Sequence, residues 1–176
     1  MLTPRRADVA DVGRLVCDAV EVHPDNEARG VMSESVHHVL DDYAAGAASR
    51  LGQGTHCSIT FRRAGSLAYV GSSDERAQHC DAVEVAEGVG PCVTAMEQLS
   101  GVLVPNLLLE LRWHRWREAA TQAGFRSAAA LPAYVDPETT VALNLYADVL
   151  DPWPGPTLVS IDTYVHEIAR AVHARL

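Results

Sequence analysis

Residues 57–74 read Cys57-Ser58-Ile59-Thr60-Phe61-Arg62-Arg63-Ala64-Gly65-Ser66-Leu67-Ala68-Tyr69-Val70-Gly71-Ser72-Ser73-Asp74. The first five residues form a β-rich run, Arg62 to Ser66 have the composition of a hairpin turn, and Leu67 to Val70 return as a second strand. Ser72-Ser73-Asp74 then offers side-chain oxygens to cap a helix from Glu75 to about Val85. A strand, a reversal, a second strand and a capped helix in one stretch commit the chain to an antiparallel sheet with helices inserted in it.

Downstream, Glu87-Gly88-Val89-Gly90-Pro91 is a sharp turn, and Pro91 starts a short helix through Met96. Val102-Leu103-Val104-Pro105 is a third strand. Trp113, Trp116, Ala120 and Ala123 share one face of a helix that stops at Gly124. Ser127 to Val135 and Thr139 to Tyr146 are two more strands around an Asp136-Pro137-Glu138 turn. After a rigid break from Pro152 to Pro156, the last helix carries Leu158, Ile161, Val165, Ile168 and Val172. This heptad-like seam can pack on its own sheet or pair with a partner helix.

Upstream, a helix begins near Ser33 or Ser35 with the stripe Val36, Val39, Leu40, Tyr43, Ala44 and Ala47, closed by Gly52 and Gly54. Before it, Thr3-Pro4 opens a helix bearing Val9, Val12, Val16 and Ala19, ended by His23-Pro24-Asp25-Asn26. The expected fold is α+β: a largely antiparallel sheet of five to six strands with helices packed on one face. The chain divides into a two-helix segment over 1–54, a core over 55–149, and a C-terminal helix over 156–176 that completes the domain or a dimer interface.

Composition narrows the function classes. The 176 residues suit one domain. The net charge is −9, and all 14 basic residues are arginine. Excess negative charge opposes approach to phosphate backbones and anionic lipid, so neither nucleic acid nor a membrane is expected as a direct partner. Cys17, Cys57, Cys80 and Cys92 form no CxxC pair or zinc spacing. Met1-Leu2-Thr3-Pro4-Arg5-Arg6 leads into an Asp-containing stretch rather than a secretory leader. A cytoplasmic chain with reduced thiols is expected.

From about His56 to Ala174 the sequence resembles GAF domains, in the form that actinobacterial regulators join to an ANTAR RNA-binding domain. The matching residues are Ser58-Ile59-Thr60, Val70-Gly71-Ser72-Ser73-Asp74, Asp81, Gly88-Val89-Gly90-Pro91-Cys92 with Ala95, Glu110-Leu111-Arg112-Trp113, Gly124-Phe125-Arg126-Ser127, Leu131-Pro132 and Leu143-Asn144-Leu145-Tyr146. Val89 stands where the family usually has Glu, Trp113-His114 replaces Trp-Pro, and Pro132-Ala133 replaces Pro-Leu. The last helix, ending at Leu176, is the one that would lead into ANTAR. The resemblance implies a profilin- or PAS-like sheet and a sensor or regulatory role. Many such domains bind a small molecule between the sheet and the inserted helices; others take cyclic nucleotides, haem, bilins or iron. One subgroup reduces free methionine sulfoxide with several cysteines.

The residues themselves allow two readings at several points. Cys92 begins a helix, where the macrodipole can lower a thiol pKa; equally, it is a small buried apolar residue. His79-Cys80-Asp81 groups three ligand types, but neighbours on a helix diverge, so no metal site is read there. His37, His38, His166 and His173 read as solvated helix positions. Trp113 and Trp116 read as core anchors, with Arg112 on a nearby carboxylate. Asn144, in an apolar strand, either braces a loop or faces a ligand.

A pocket, if formed, is lined by Ser58, Thr60, Ser73, Cys80, Val89, Cys92, Ser127 and Asn144. Val89 makes its rim less polar than the family's. No catalytic residue and no required cofactor are assigned. The leading expectation is a non-enzymatic sensor that binds a small molecule or signals as a homodimer through its terminal helices. A thiol redox sensor or reductase using Cys92 and Cys80, and a ligand-free scaffold docking a separate output protein, are the alternatives.

Overall fold

The computed structural model describes residues 34–176. The helix expected over Thr3 to Ala19, and Cys17 with it, lie outside the described residues. Five helices and five strands follow in the order α1 (Glu34–Leu51), β1 (Thr55–Arg63), β2 (Ser66–Ser72), α2 (Glu75–Glu87), α3 (Pro91–Gln98), β3 (Val102–Val104), α4 (His114–Gln122), β4 (Ser127–Asp136), β5 (Thr139–Ala147) and α5 (Gly155–His173). A short 3-10 turn at Leu107–Leu109 joins β3 to α4.

The strands form one antiparallel sheet in the order β2-β1-β5-β4-β3. The β1–β2 reversal is the two-residue turn Ala64-Gly65, both with positive φ, the geometry that matches strand twist. Pro132 is tolerated within β4 because β3 pairs only with Ala128, Ala129 and Ala130, which leaves the outer side of β4 open at Pro132.

Helices cover both faces of the sheet, not one as the hairpin pattern suggested. On one face, α1 and α5 enclose Leu40, Ala44, Ile59, Leu143, Val165 and Ile168. Strands with both faces covered lose their polar alternation, and β5 is accordingly buried at every position but Thr140. The α5 seam packs on this sheet: Ile161, Val165, Ile168 and Val172 are buried. Tyr164 bridges to α1, donating to the Tyr43 carbonyl at 3.0 Å.

On the other face, α2, α3 and α4 enclose Trp116, Tyr146, Phe125, Met96, Cys92 and Leu107. Trp113 and Trp116 meet edge to face at 5.9 Å. His37 departs from the solvated reading: it is half-buried, with Nδ1 3.1 Å from the Val70 carbonyl. No helix among the described residues is long and apolar enough to cross a membrane.

Candidate functional site: a buried acid cluster

Helix α2 begins where the sequence places it. The Asp74 carboxylate accepts from the Arg76 and Ala77 N–H groups. Asp74 also pairs with His56. Burial raises the Asp74 pKa, but the His56 bond and the backbone N–H groups outweigh it and hold the carboxyl below its ordinary value. Arg76 extends the clamp, donating to Asp148 at 2.6 Å and the Ala123 carbonyl at 2.8 Å while lying over the Phe125 ring. The start of α2 is thus tied to the ends of β5 and α4.

The inward face of α2 carries Ala77, Cys80, Asp81 and Glu84. Their spacing is that of an amphipathic core stripe, yet two of the four are acids, and both are fully buried. Asp81 Oδ2 accepts from Thr60 Oγ1 at 3.0 Å and Asn144 Nδ2 at 2.8 Å. Asp81 Oδ1 accepts from the Tyr146 hydroxyl at 2.8 Å. Asn144 Nδ2 also donates to Thr60 Oγ1, and Trp116 Nε1 donates to the Tyr146 hydroxyl at 3.2 Å. Burial drives the Asp81 pKa up despite these bonds. Ser58 Oγ lies close enough to favour the ionised form but outside bonding geometry; it and Asn144 Oδ1 are buried without a hydrogen-bond partner.

Glu84 faces the Gly90-Pro91-Cys92 turn. Its Oε1 accepts from the Cys92 N–H at 2.6 Å and the Val93 N–H at 3.4 Å, so it caps α3 from the neighbouring helix. Burial, reinforced by the Asp81 charge, pushes its pKa from 4.5 to about 8. Gly90 is required by contact: a Cβ built there lands on the Glu84 carboxyl. Gly90→Ala is expected to cost about 1–3 kcal/mol through overpacking, read as a lowered urea midpoint; an unchanged midpoint would show that Glu84 has room to move.

The helix start does not activate Cys92. Burial, then the Glu84 and Asp81 charges, push its thiol pKa well above the ordinary value. Cys57 and Cys80 are buried and shifted the same way. A dipole effect requires helix N–H groups facing the thiolate; here they face Glu84.

Of the eight residues expected to line a pocket, Ser58, Thr60, Cys80, Cys92 and Asn144 are buried on this side of the sheet. Asn144 braces the acid cluster rather than a loop. Ser73 holds the turn before α2, accepting from the Cys57 N–H at 2.9 Å. Ser127 Oγ ties β4 to the chain after β5 through the Val149 carbonyl at 2.7 Å. Val89 is 54% exposed, outside the cluster. Glu84, Tyr146 and Trp116 complete the arrangement. The signal for Glu84 was its helical spacing from Ala77, Cys80 and Asp81. Among the described residues, no three His, Cys, Asp or Glu side chains converge on a metal-binding position.

No known family profile matches the sequence, and no curated protein matches it. Solved structures do match in fold. A GAF domain region from Geobacter sulfurreducens has a TM-score of 0.60 at 15% identity, covering 83% of this chain and 96% of that one. Type II free methionine-R-sulfoxide reductase from Thermoplasma acidophilum has a TM-score of 0.60 at 13% identity, covering 80% and 97%. The phycoerythrobilin-bound GAF domain of a cyanobacterial phytochrome has a TM-score of 0.58 at 14% identity, covering 84% and 90%. The chain therefore has a GAF-like α+β fold. At these identities the likeness is one of architecture, shared by sensors and an enzyme alike.

Proposed function

We propose that this chain is a regulatory module of the GAF type that performs no reaction of its own and signals through a partner. One observation carries this over the reductase reading. The three described cysteines are buried, and their thiols are held protonated, whereas thiol chemistry runs through an accessible thiolate. The order of the motifs from Ser58 to Tyr146 favours kinship with the actinobacterial GAF–ANTAR regulators.

A second reading, small-molecule recognition, draws on the unused Ser58 Oγ and Asn144 Oδ1 beside Asp81. Both atoms are buried beside Asp81 of α2, so a ligand reaches them only if a helix on that face moves.

Alkylation of the native protein, resolved by peptide, tests the non-enzymatic reading. Cys57, Cys80 and Cys92 are expected to react at least about 100-fold more slowly than in urea, and no free methionine sulfoxide is expected to be reduced. Rapid labelling of Cys92 or Cys80, with turnover abolished by Cys92→Ser, would establish the reductase instead.

A further inference from the structure

Past Ala130, β3 no longer pairs with β4, and the outer side of that strand is open. The last turns of α5 lie beside it. His166, Ala169, Arg170 and His173 stand at i, i+3, i+4 and i+7, so they share one face of that helix. With Tyr134 and Val135 of β4 they enclose a cleft of about 230 Å³. Ala169 is buried and Val135 packs against the same core, whereas His166, Arg170, His173 and Tyr134 are exposed around them. The cleft lies across the sheet from the acid cluster. Its cations are unspent. Among the described residues, no hydrogen bond or ion pair forms on the side chain of His166, Arg170 or His173, in a chain with 23 acidic residues. Asp136 feels His173 and Arg63 through space, but its carboxylate accepts from the Glu138 N–H at 2.9 Å. Basic side chains near a helix C-terminus offset the macrodipole from any side of the helix. That effect does not gather Arg170 and two histidines on one face around a hollow.

The geometry points to a binding site for a single phosphate group, free or carried by a small molecule. Arg170 supplies a permanent charge and a planar fork of donors that matches phosphate oxygens. Each histidine ring carries at least one N–H in either tautomer, and the Tyr134 hydroxyl can donate. A carboxylate has too few oxygens to use all these donors, whereas a phosphate has enough. Size narrows the class further. Drug-sized ligands occupy roughly 300–1,000 Å³, so this cleft takes a phosphate with a short substituent and not a nucleotide. The net charge of −9 opposes polyanions. Salt screens that field over about 8 Å, which leaves one small anion to the cations beside it.

Amide NMR of the 176-residue chain, titrated with inorganic phosphate at neutral pH and constant ionic strength, tests the inference. Saturable shifts are expected at Tyr134, Val135 and the α5 turns from His166 to His173, with a Kd on the order of 1 mM. Acetate is expected to bind at least about tenfold more weakly. Arg170→Gln is expected to weaken phosphate at least about tenfold with unchanged circular dichroism. Arg175→Gln, which removes a charge outside the cleft whose Nη1 donates to the Ala171 carbonyl, is expected to leave the Kd unchanged. If Arg170→Gln misfolds, His166→Gln and His173→Gln decide, each expected to weaken binding about threefold. A second titration with glycerol phosphate separates the sources: tighter binding than inorganic phosphate assigns the site to a small ester, and equal or weaker binding to the free ion. No saturable shift by about 20 mM phosphate overturns the inference. So do shifts centred away from the cleft, acetate binding as tightly as phosphate, or an Arg175→Gln loss equal to that of Arg170→Gln. Folded histidine variants that bind like the wild type overturn it as well.

Discussion

Asp81→Ala is expected to destabilise the protein by about 3–5 kcal/mol. Asp81 is fully buried and serves three donors at once, Thr60, Asn144 and Tyr146. Truncation leaves a void and strips the acceptor from all three. A buried donor without an acceptor loses its hydration with nothing in return, which costs about 1–3 kcal/mol apiece when it cannot relax. Asn144 has some relief, because it still donates to Thr60, whereas the Tyr146 hydroxyl has none, since Trp116 Nε1 is itself a donor to it. Asp81→Asn should cost much less, about 1 kcal/mol: it keeps the volume and one acceptor, and the Tyr146 hydroxyl can turn to accept from the new amide. Urea unfolding followed by tryptophan fluorescence measures both, and Trp116 reports from within the network. An alanine variant within 1 kcal/mol of the wild type would mean that the cluster contributes nothing net.

The second large effect is a stability that falls as pH rises through neutrality. Glu84 titrates near 4.5 when unfolded and about 8 when folded. Between those values the folded chain keeps a proton that the unfolded chain has released, so each rise in pH favours unfolding. The contribution is complete below pH 4.5 and gone above pH 8, with a ceiling on the order of 4–5 kcal/mol. Asp81 is raised as well and adds with the same sign, so the two carboxyls titrate as a coupled pair. Asp74, Asp148 and Glu110 are held below their ordinary values and act oppositely, withdrawing stability only at more acid pH. The thermal midpoint should therefore peak near pH 5 and decline toward pH 8.5, by about 2–4 °C for each kcal/mol lost. Glu84→Gln keeps an acceptor for the Cys92 N–H and cannot ionise, so its profile should be flatter and cross above the wild type near pH 8. A wild-type midpoint that is level or rising from pH 5 to 8.5 would refute the assignment.

The parts of the molecule legible in sequence are those fixed by local chemistry. Gly65 marked the hairpin, Asp74 the start of α2, and Pro91 the start of α3, because a turn or cap depends on residues within a few positions. Trp113 and Trp116 were read correctly as anchors, and Arg112 found its carboxylate in Glu110. The helices on both faces were missed, although the apolar run Val141-Ala142-Leu143 and Leu145-Tyr146-Ala147 carried the signal of a strand buried on each side. The acid cluster was the hardest part to see. Thr60, Asp81, Asn144 and Tyr146 come from three elements far apart in sequence, and only the antiparallel register of β1 on β5 sets Thr60 opposite Ala142 and Ser58 opposite Asn144. Glu84 has the helical spacing of Ala77, Cys80 and Asp81, but its partner, the Gly90 turn pressed against its carboxyl, is set only by the fold.

That closed site also sets a tempo. Asp81 and Glu84 have essentially no surface in contact with solvent, so neither can exchange its proton while α2, α3 and the sheet remain together. Proton transfer in water is fast, but here it must wait for a local opening of α2 or α3 from the sheet. After a sudden change of pH, the interior therefore lags the solvent, and the molecule retains for a time the protonation state of its earlier surroundings.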